Sequence, residues 1–451
     1  MELPSMSPPP PPVPSAPSWA HCGQGADPAA DPVGCRGIHV PGHTTCLAHL
    51  ADADRGTYLA GLSPGADIDH RGTPFTQELL TQLLNALHDP LTTRPHLGDA
   101  HFEGAQFSGD VWFGGAKFSG IAQFNGAQFS GDVWFGGAKF SGGAGFGWAE
   151  FSGEAGFVAA QFPDGAWFAG AEFSGGTRFE GAEFSRGAWF IEAHFSGGTR
   201  FAGARFAGGA VFREAEFSGD AQFSQAQFSD SAWFDQAQFS GSAWFDGAQF
   251  SGYAGFPEVQ FEGVPVLGPL VCAGRVVLSR AVFRLPVTLE IAAREVVCER
   301  TVWQSTATVR LRYAAVDLGH AVLSAPVAVT AHAIPFTRTA FTGRGAPVGE
   351  DLLTGPDRVQ VTSVQGVDAA HLVLSDTDLS ACLFSGAFHL DQLRLEGRTR
   401  FAPVPAGWHR RGARPVRWTR RRTLAEEHHW RAQAAGQPAP LPGRALSARQ
   451  W

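Results

Sequence analysis

The chain reads as an all-β solenoid, and three observations predict it. Between Phe102 and Phe261 phenylalanine recurs at steps of five and six without a miss, and an internal repeat of this kind outranks any local signal. Nearly every eleven-residue unit, close to A-x-F-S-G-x-A-x-F-x-G, carries glycine. At roughly 1 kcal/mol per glycine in a helix interior, this excludes the supercoiled helix that an eleven-residue period otherwise suggests. A small residue stands two places before the Phe, as in Ala105/Phe107 and Val111/Phe113, which puts both on one face of a strand. Ser-Gly and Gly-Gly pairs supply the turns, because glycine tolerates positive φ.

The size of a coil is legible too. FSGDVWFGGAKFSG occupies 107–120 and again 129–142, and FSGGTRF occupies 173–179 and 195–201; both offsets are 22. One coil is therefore predicted to hold 22 residues in four Phe-bearing sides. Ala105-Gln106-Phe107, Ala116-Lys117-Phe118 and Ala171-Glu172-Phe173 resemble the A-[DN]-[LF]-x-x centre of the pentapeptide-repeat family, in its Phe-centred variety with alternating spacing. Gln, Glu, Lys or Trp stands where the family pattern has Asp or Asn. The resemblance implies a right-handed quadrilateral β-helix, and for some members DNA mimicry toward a type II topoisomerase.

Composition bounds the rest. The 451 residues suffice for two or three units. The net charge of −8 is unevenly spread. Residues 102–261 hold seventeen Asp/Glu against seven Lys/Arg, a balance of −10, and residues 401–451 hold ten Arg against two Glu, a balance of +8. Only two lysines occur, Lys117 and Lys139, a bias of the kind GC-rich bacterial coding produces. No apolar run approaches the 18 residues of a membrane span, and no basic, apolar leader opens the chain. A cytoplasmic location is the expectation, with peripheral inner-membrane contact left to the basic tail.

In chain order, residues 1–18 are a proline-rich leader, expected to be extended. Residues 19–50 hold Cys22, Cys35, His39, His43, Cys46 and His49. Cys46 and His49 form a C-x2-H pair, and with Cys22 and Cys35 they make a Cys3His set suited to one tetrahedral structural zinc; His39 or His43 could replace a ligand. Residues 51–99 are expected to form a helical cap, with a short helix over 50–62 and a second opened by Thr73 as N-cap and Pro74 in its first turn. Its apolar stripe would blunt the first edge of the solenoid.

From 100 to 261 the 22-residue coil predicts outward columns: Trp112 and Trp134 with Arg178, Arg200 and Trp244 on one side, Trp167, Trp189 and Trp233 on another, Glu150, Glu172 and Glu216 on a third. Exposed tryptophans in register suggest a contact surface. From 262 to 402 the coils are expected to continue with valine and leucine, Val287/Leu289 stacking under Val309/Leu311, interrupted by a loop near 340–360. Cys272, Cys298 and Cys382 are expected to be inert core thiols. Residues 403–451 form an arginine-rich tail with Trp408 and Trp418, expected to be partly disordered and suited to phosphate or anionic lipid.

No H-E-x-x-H motif occurs. The functional expectation is a non-enzymatic scaffold that offers a rigid surface to a protein partner. DNA mimicry and a membrane-associated scaffold are the alternatives.

Overall fold

The computed structural model describes residues 16–337 and 346–403, and the backbone of the strands at 407–411, 414–418 and 422–423. Most of the proline-rich leader, Gly343-Arg344-Gly345 and the end of the basic tail lie outside the described residues.

Each coil contributes four short strands, and each strand pairs in parallel with the one 22 residues on. Gln106–Ser108 pairs with Gln128–Phe129 on a first face and Val111–Trp112 with Val133–Trp134 on a second. Lys117–Phe118 pairs with Lys139–Phe140 on a third and Ala122–Gln123 with Ala144–Gly145 on a fourth. The first face runs through twelve strands, from Pro74–Thr76 to Val322–Leu323.

The phenylalanines fill the interior and are buried. Along each face the rings stack nearly parallel, as Phe179 on Phe201 at 4.9 Å and 0°. Across the axis, second- and fourth-face rings meet edge to face, as Phe190 with Phe201 at 5.3 Å and 84°. Edge-to-face pairs bring a positive ring edge to a negative ring face, and parallel rings are favoured when offset.

Two kinds of corner alternate. Two places after each second- or fourth-face Phe the backbone is left-handed, with φ 64° at Gly126 and Gly137. Trp148, Ala159, Glu192 and Glu214 take this conformation without being glycine. After a first- or third-face Phe, glycine serves close approach instead: a Cβ on Gly131 would lie 2.6 Å from the Gly109 carbonyl oxygen, and one on Gly142 would lie 2.5 Å from that of Gly120. Glycine thus serves positive φ chiefly at the first corner type, Gly109 with φ 86° being an exception after a first-face Phe.

The solenoid begins earlier than the Phe rhythm. Helix α1 spans Asp52–Ala60 and helix α2 spans Gln77–Ala86. The N-cap of α2 is Thr76, whose Oγ1 accepts from Leu79 N at 3.2 Å, and not Thr73. Pro74–Thr76 is instead a first-face strand, with Phe75 stacked on Phe107 at 5.2 Å and 8°. Ile68 pairs with Ala100 at an offset of 32, because the ten residues of α2 are inserted into a 22-residue coil. Leu79, Leu80, Leu83 and Leu84 of α2 join the main core.

The later coils shorten. Strand Val266–Val277 pairs with both the third and the fourth face as one element. Its pairing with Val287–Val297 slips from an offset of 22 at Leu267↔Leu289 to 21 at Leu270↔Ile291 and 20 at Val276↔Val296. Leu289 therefore lies beside Val309 and Ile291 beside Leu311, which corrects the predicted stack of Val287/Leu289 under Val309/Leu311. Turn residues have been replaced by bent strand, so each coil needs two fewer.

The excursion after Val327–Ala331 returns to the rod. Phe336, Val348 and Leu353 form a small second core on Val271 and Ala292, which continue the outward column of the third face. The adjoining Arg312, with a 4% exposed side chain, binds Glu350 at 2.8 Å and donates to the His332 carbonyl at 2.8 Å. The polar column ends where this strap covers it. Beyond the last coil, Gly407–Arg411 pairs antiparallel with Arg414–Trp418, so the tail is not without regular backbone.

Candidate metal centre and outward columns

The thiol cluster is built by backbone first. Cys22 N donates to Gly37 O and Gly23 N to Cys35 O, both at 2.8 Å, which clips Cys22 beside Cys35. Gly37 lets Cys46 approach: a Cβ there would lie 2.6 Å from that of Cys46. A 3-10 turn, Leu47–His49, then carries His49 back over Cys46.

The four ligand atoms lie within 4.8 Å of one another. Cys35 Sγ and Cys46 Sγ are 3.7 Å apart, and His49 Nδ1 is 3.4 Å from both Cys22 Sγ and Cys46 Sγ. A tetrahedral zinc with bonds of about 2.3 Å to sulfur and about 2.0 Å to nitrogen needs edges of about 3.8 and 3.6 Å. The donor set fits that ion. The Cys46 thiol donates to Cys35, which with nearby His49 lowers Cys35 to about 5, while sharing that proton and burial push Cys46 up. His39 turns away, its Nε2 bonded to the His21 carbonyl at 2.8 Å, and His43 is outside the cluster.

This module is seated on the first coil. Ile38 N donates to Arg71 O at 2.8 Å, and the Arg71 guanidinium lies 5.0 Å from the Trp19 ring centroid. Val40, Leu47 and Leu50 belong to the main core. Sequence reasoning missed this seating because Trp19 and Arg71 follow no repeat.

The outward columns stand as the 22-residue coil requires. On the second face Trp112 stacks on Trp134 at 5.7 Å and 20°, and Trp112 is 57% exposed. Gly156, Arg178, Arg200, Gln222 and Trp244 continue that column. Arg178 and Arg200 both reach Glu180, at 3.3 and 3.8 Å. On the fourth face Trp167 stacks on Trp189 at 4.9 Å and 9°, then Val211 intervenes before Trp233. On the first face His194 stands between Glu172 and Glu216, 3.5 Å from the latter.

A family model described as pentapeptide repeats (9 copies) matches residues 102–150, 137–183, 179–226 and 212–260. Residues 102–260 are pentapeptide repeats. Comparison with curated proteins gave no match, and neither did comparison with solved structures. The pentapeptide repeats thus carry the Trp, Arg and Glu columns, while the Cys3His cluster and the strap lie on flanking segments. Cys272 and Cys298 are buried in the later coils, where burial raises them to about 11 and about 12, and Cys382 is buried as well. Among the described residues no helix is long and apolar enough to cross a membrane.

Proposed function

We propose that this protein is a non-enzymatic scaffold whose pentapeptide-repeat rod presents fixed side-chain columns to a protein partner. The observation that carries the proposal is the second face, where Trp112 and Trp134 stack in register on a continuous ladder. Large aromatics held rigid and half in water lose little entropy on contact and bury much area. The same reading gives the N-terminal Cys3His set one structural zinc, held by Cys22, Cys35, Cys46 and His49, that fixes the module closing the first coil. Four protein ligands leave no open position for chemistry.

The acidic columns are partly offset by arginines one coil away, such as Arg205 on Glu183 and Arg280 on Glu258, both at 2.8 Å. That favours a mixed contact surface over a DNA mimic. The membrane alternative rests on tail side chains outside the described residues.

The test compares capture by the intact chain with that by Trp112→Ala/Trp134→Ala and by a chain ending at residue 407. Loss of one captured protein with the Trp pair alone supports the face. Capture that follows the tail and disappears in salt overturns it. For the metal, purified protein is expected to hold one zinc per chain by elemental analysis, and Cys35→Ser to hold less than half of that. Equal zinc in both would remove the site.

A further inference from the structure

The fourth-face tryptophan ladder lacks one ring. Trp167 and Trp189 stack at 4.9 Å, and Trp233 occupies the same column two coils beyond Trp189. All three share one pose. Trp167 and Trp189 each lie over the glycine two places before them, Gly165 and Gly187, and Trp167 and Trp233 each reach the glycine 24 places back, Gly143 and Gly209. At the level between Trp189 and Trp233 stands Val211, too short to fill a ring's place. The slot so left is floored by Gly187, Gly209 and Val211 and edged by Arg213.

The next gap in the column is not left open. At Gly255 the ring of Tyr253 lies over the position a side chain would take. The gap at Val211 therefore differs from an ordinary end of the ladder. Because a ring at this level would repeat the Trp167–Trp189 stack, the slot is one aromatic ring thick. The Arg213 side chain has no ion-pair or hydrogen-bond partner among the described residues, so a cation is available at its rim.

We infer that this slot binds a small planar aromatic anion, its ring between Trp189 and Trp233 and its carboxylate or phosphate on Arg213. Two indole faces supply stacking, and the guanidinium supplies charge-assisted hydrogen bonds. The chemistry is shared by aromatic carboxylates and by nucleotides. It concerns a different face from the scaffold proposal and does not depend on it.

The experiment titrates the full chain with 2-naphthoate and, separately, with 5′-AMP by calorimetry, with adenosine as the uncharged control. Saturable binding of at least one anion is expected. It should weaken at least about tenfold in Val211→Trp, which completes the ladder, and in Arg213→Gln, which removes the charge. Binding of naphthoate alone assigns a carboxylate, and binding of AMP alone assigns a nucleotide. Lys139→Gln on the third face should leave affinity unchanged, and Val211→Trp should keep the thermal midpoint, so that loss of binding is not loss of fold. No saturable binding of either anion overturns the inference. So does equal affinity in Val211→Trp, or adenosine binding as tightly as AMP.

Discussion

At the scale of single residues, His70 has an environment that fixes its charge. It is fully enclosed between Phe75, Phe102 and Tyr58, with Nε2 3.3 Å from the Tyr58 hydroxyl. Burial pushes it down to about 4, against about 6.5 in an unfolded chain. The unfolded state takes up the proton first, so this contribution to stability is complete above about pH 6.5 and is lost as pH falls toward 4. The loss amounts to about 3 kcal/mol. Pulse proteolysis of the N-terminal coil from pH 7.5 to 4.5 should show a steeper decline in the wild type than in His70→Phe; parallel curves would contradict this. That Cys22, Cys35, Cys46 and His49 would cluster was legible because the C-x2-H spacing is local and thiols are rare here. The surroundings of His70 and Arg213 were not, since only the coiling brings Tyr58 and Phe102 beside the one, and Trp189 and Trp233 beside the other.

At the scale of elements, the two corner types make opposite demands. Ala159 holds a φ of 53° at a position where Gly126, Gly137 and Gly181 meet nothing within reach of a Cβ. Ala159→Gly should therefore stabilise the rod by about 1 kcal/mol. Gly131→Ala should destabilise it by about 1–3 kcal/mol, because the new methyl meets Gly109 backbone. Urea midpoints moving the same way in both variants would refute the distinction. The strap depends on Arg312: cutting its pairing to Glu350 and the His332 carbonyl leaves a buried carboxylate, at a cost of about 3–5 kcal/mol. Arg312→Ala should make residues 346–357 the first site of limited proteolysis, whereas an unchanged digest would refute the anchoring. Phe75 shows why the first coil was hidden. A ten-residue helix follows it, so its helical neighbours masked its place in the stack. The slip from 22 to 20 was hidden for a related reason, as bent strands drop turn residues without leaving a motif.

At the scale of the molecule, the coil length and its four sides were legible because exact repeats at 22 reveal the period directly. The partner was not, because a repeat encodes its own stacking and only the departures from it face outward. Every functional reading rests on those columns being held in fixed register by one stiff core. The most direct test is a distance measurement by pulsed electron resonance between nitroxides at Gln128 and Gln238, attached through a keto amino acid that spares the native cysteines. These residues are joined by five successive pairings along the first face. At about 4.8 Å per coil the separation should be about 24 Å, in a single narrow distribution. A broad distribution, or a mean far from that value, would contradict the rigid rod and the fixed columns with it.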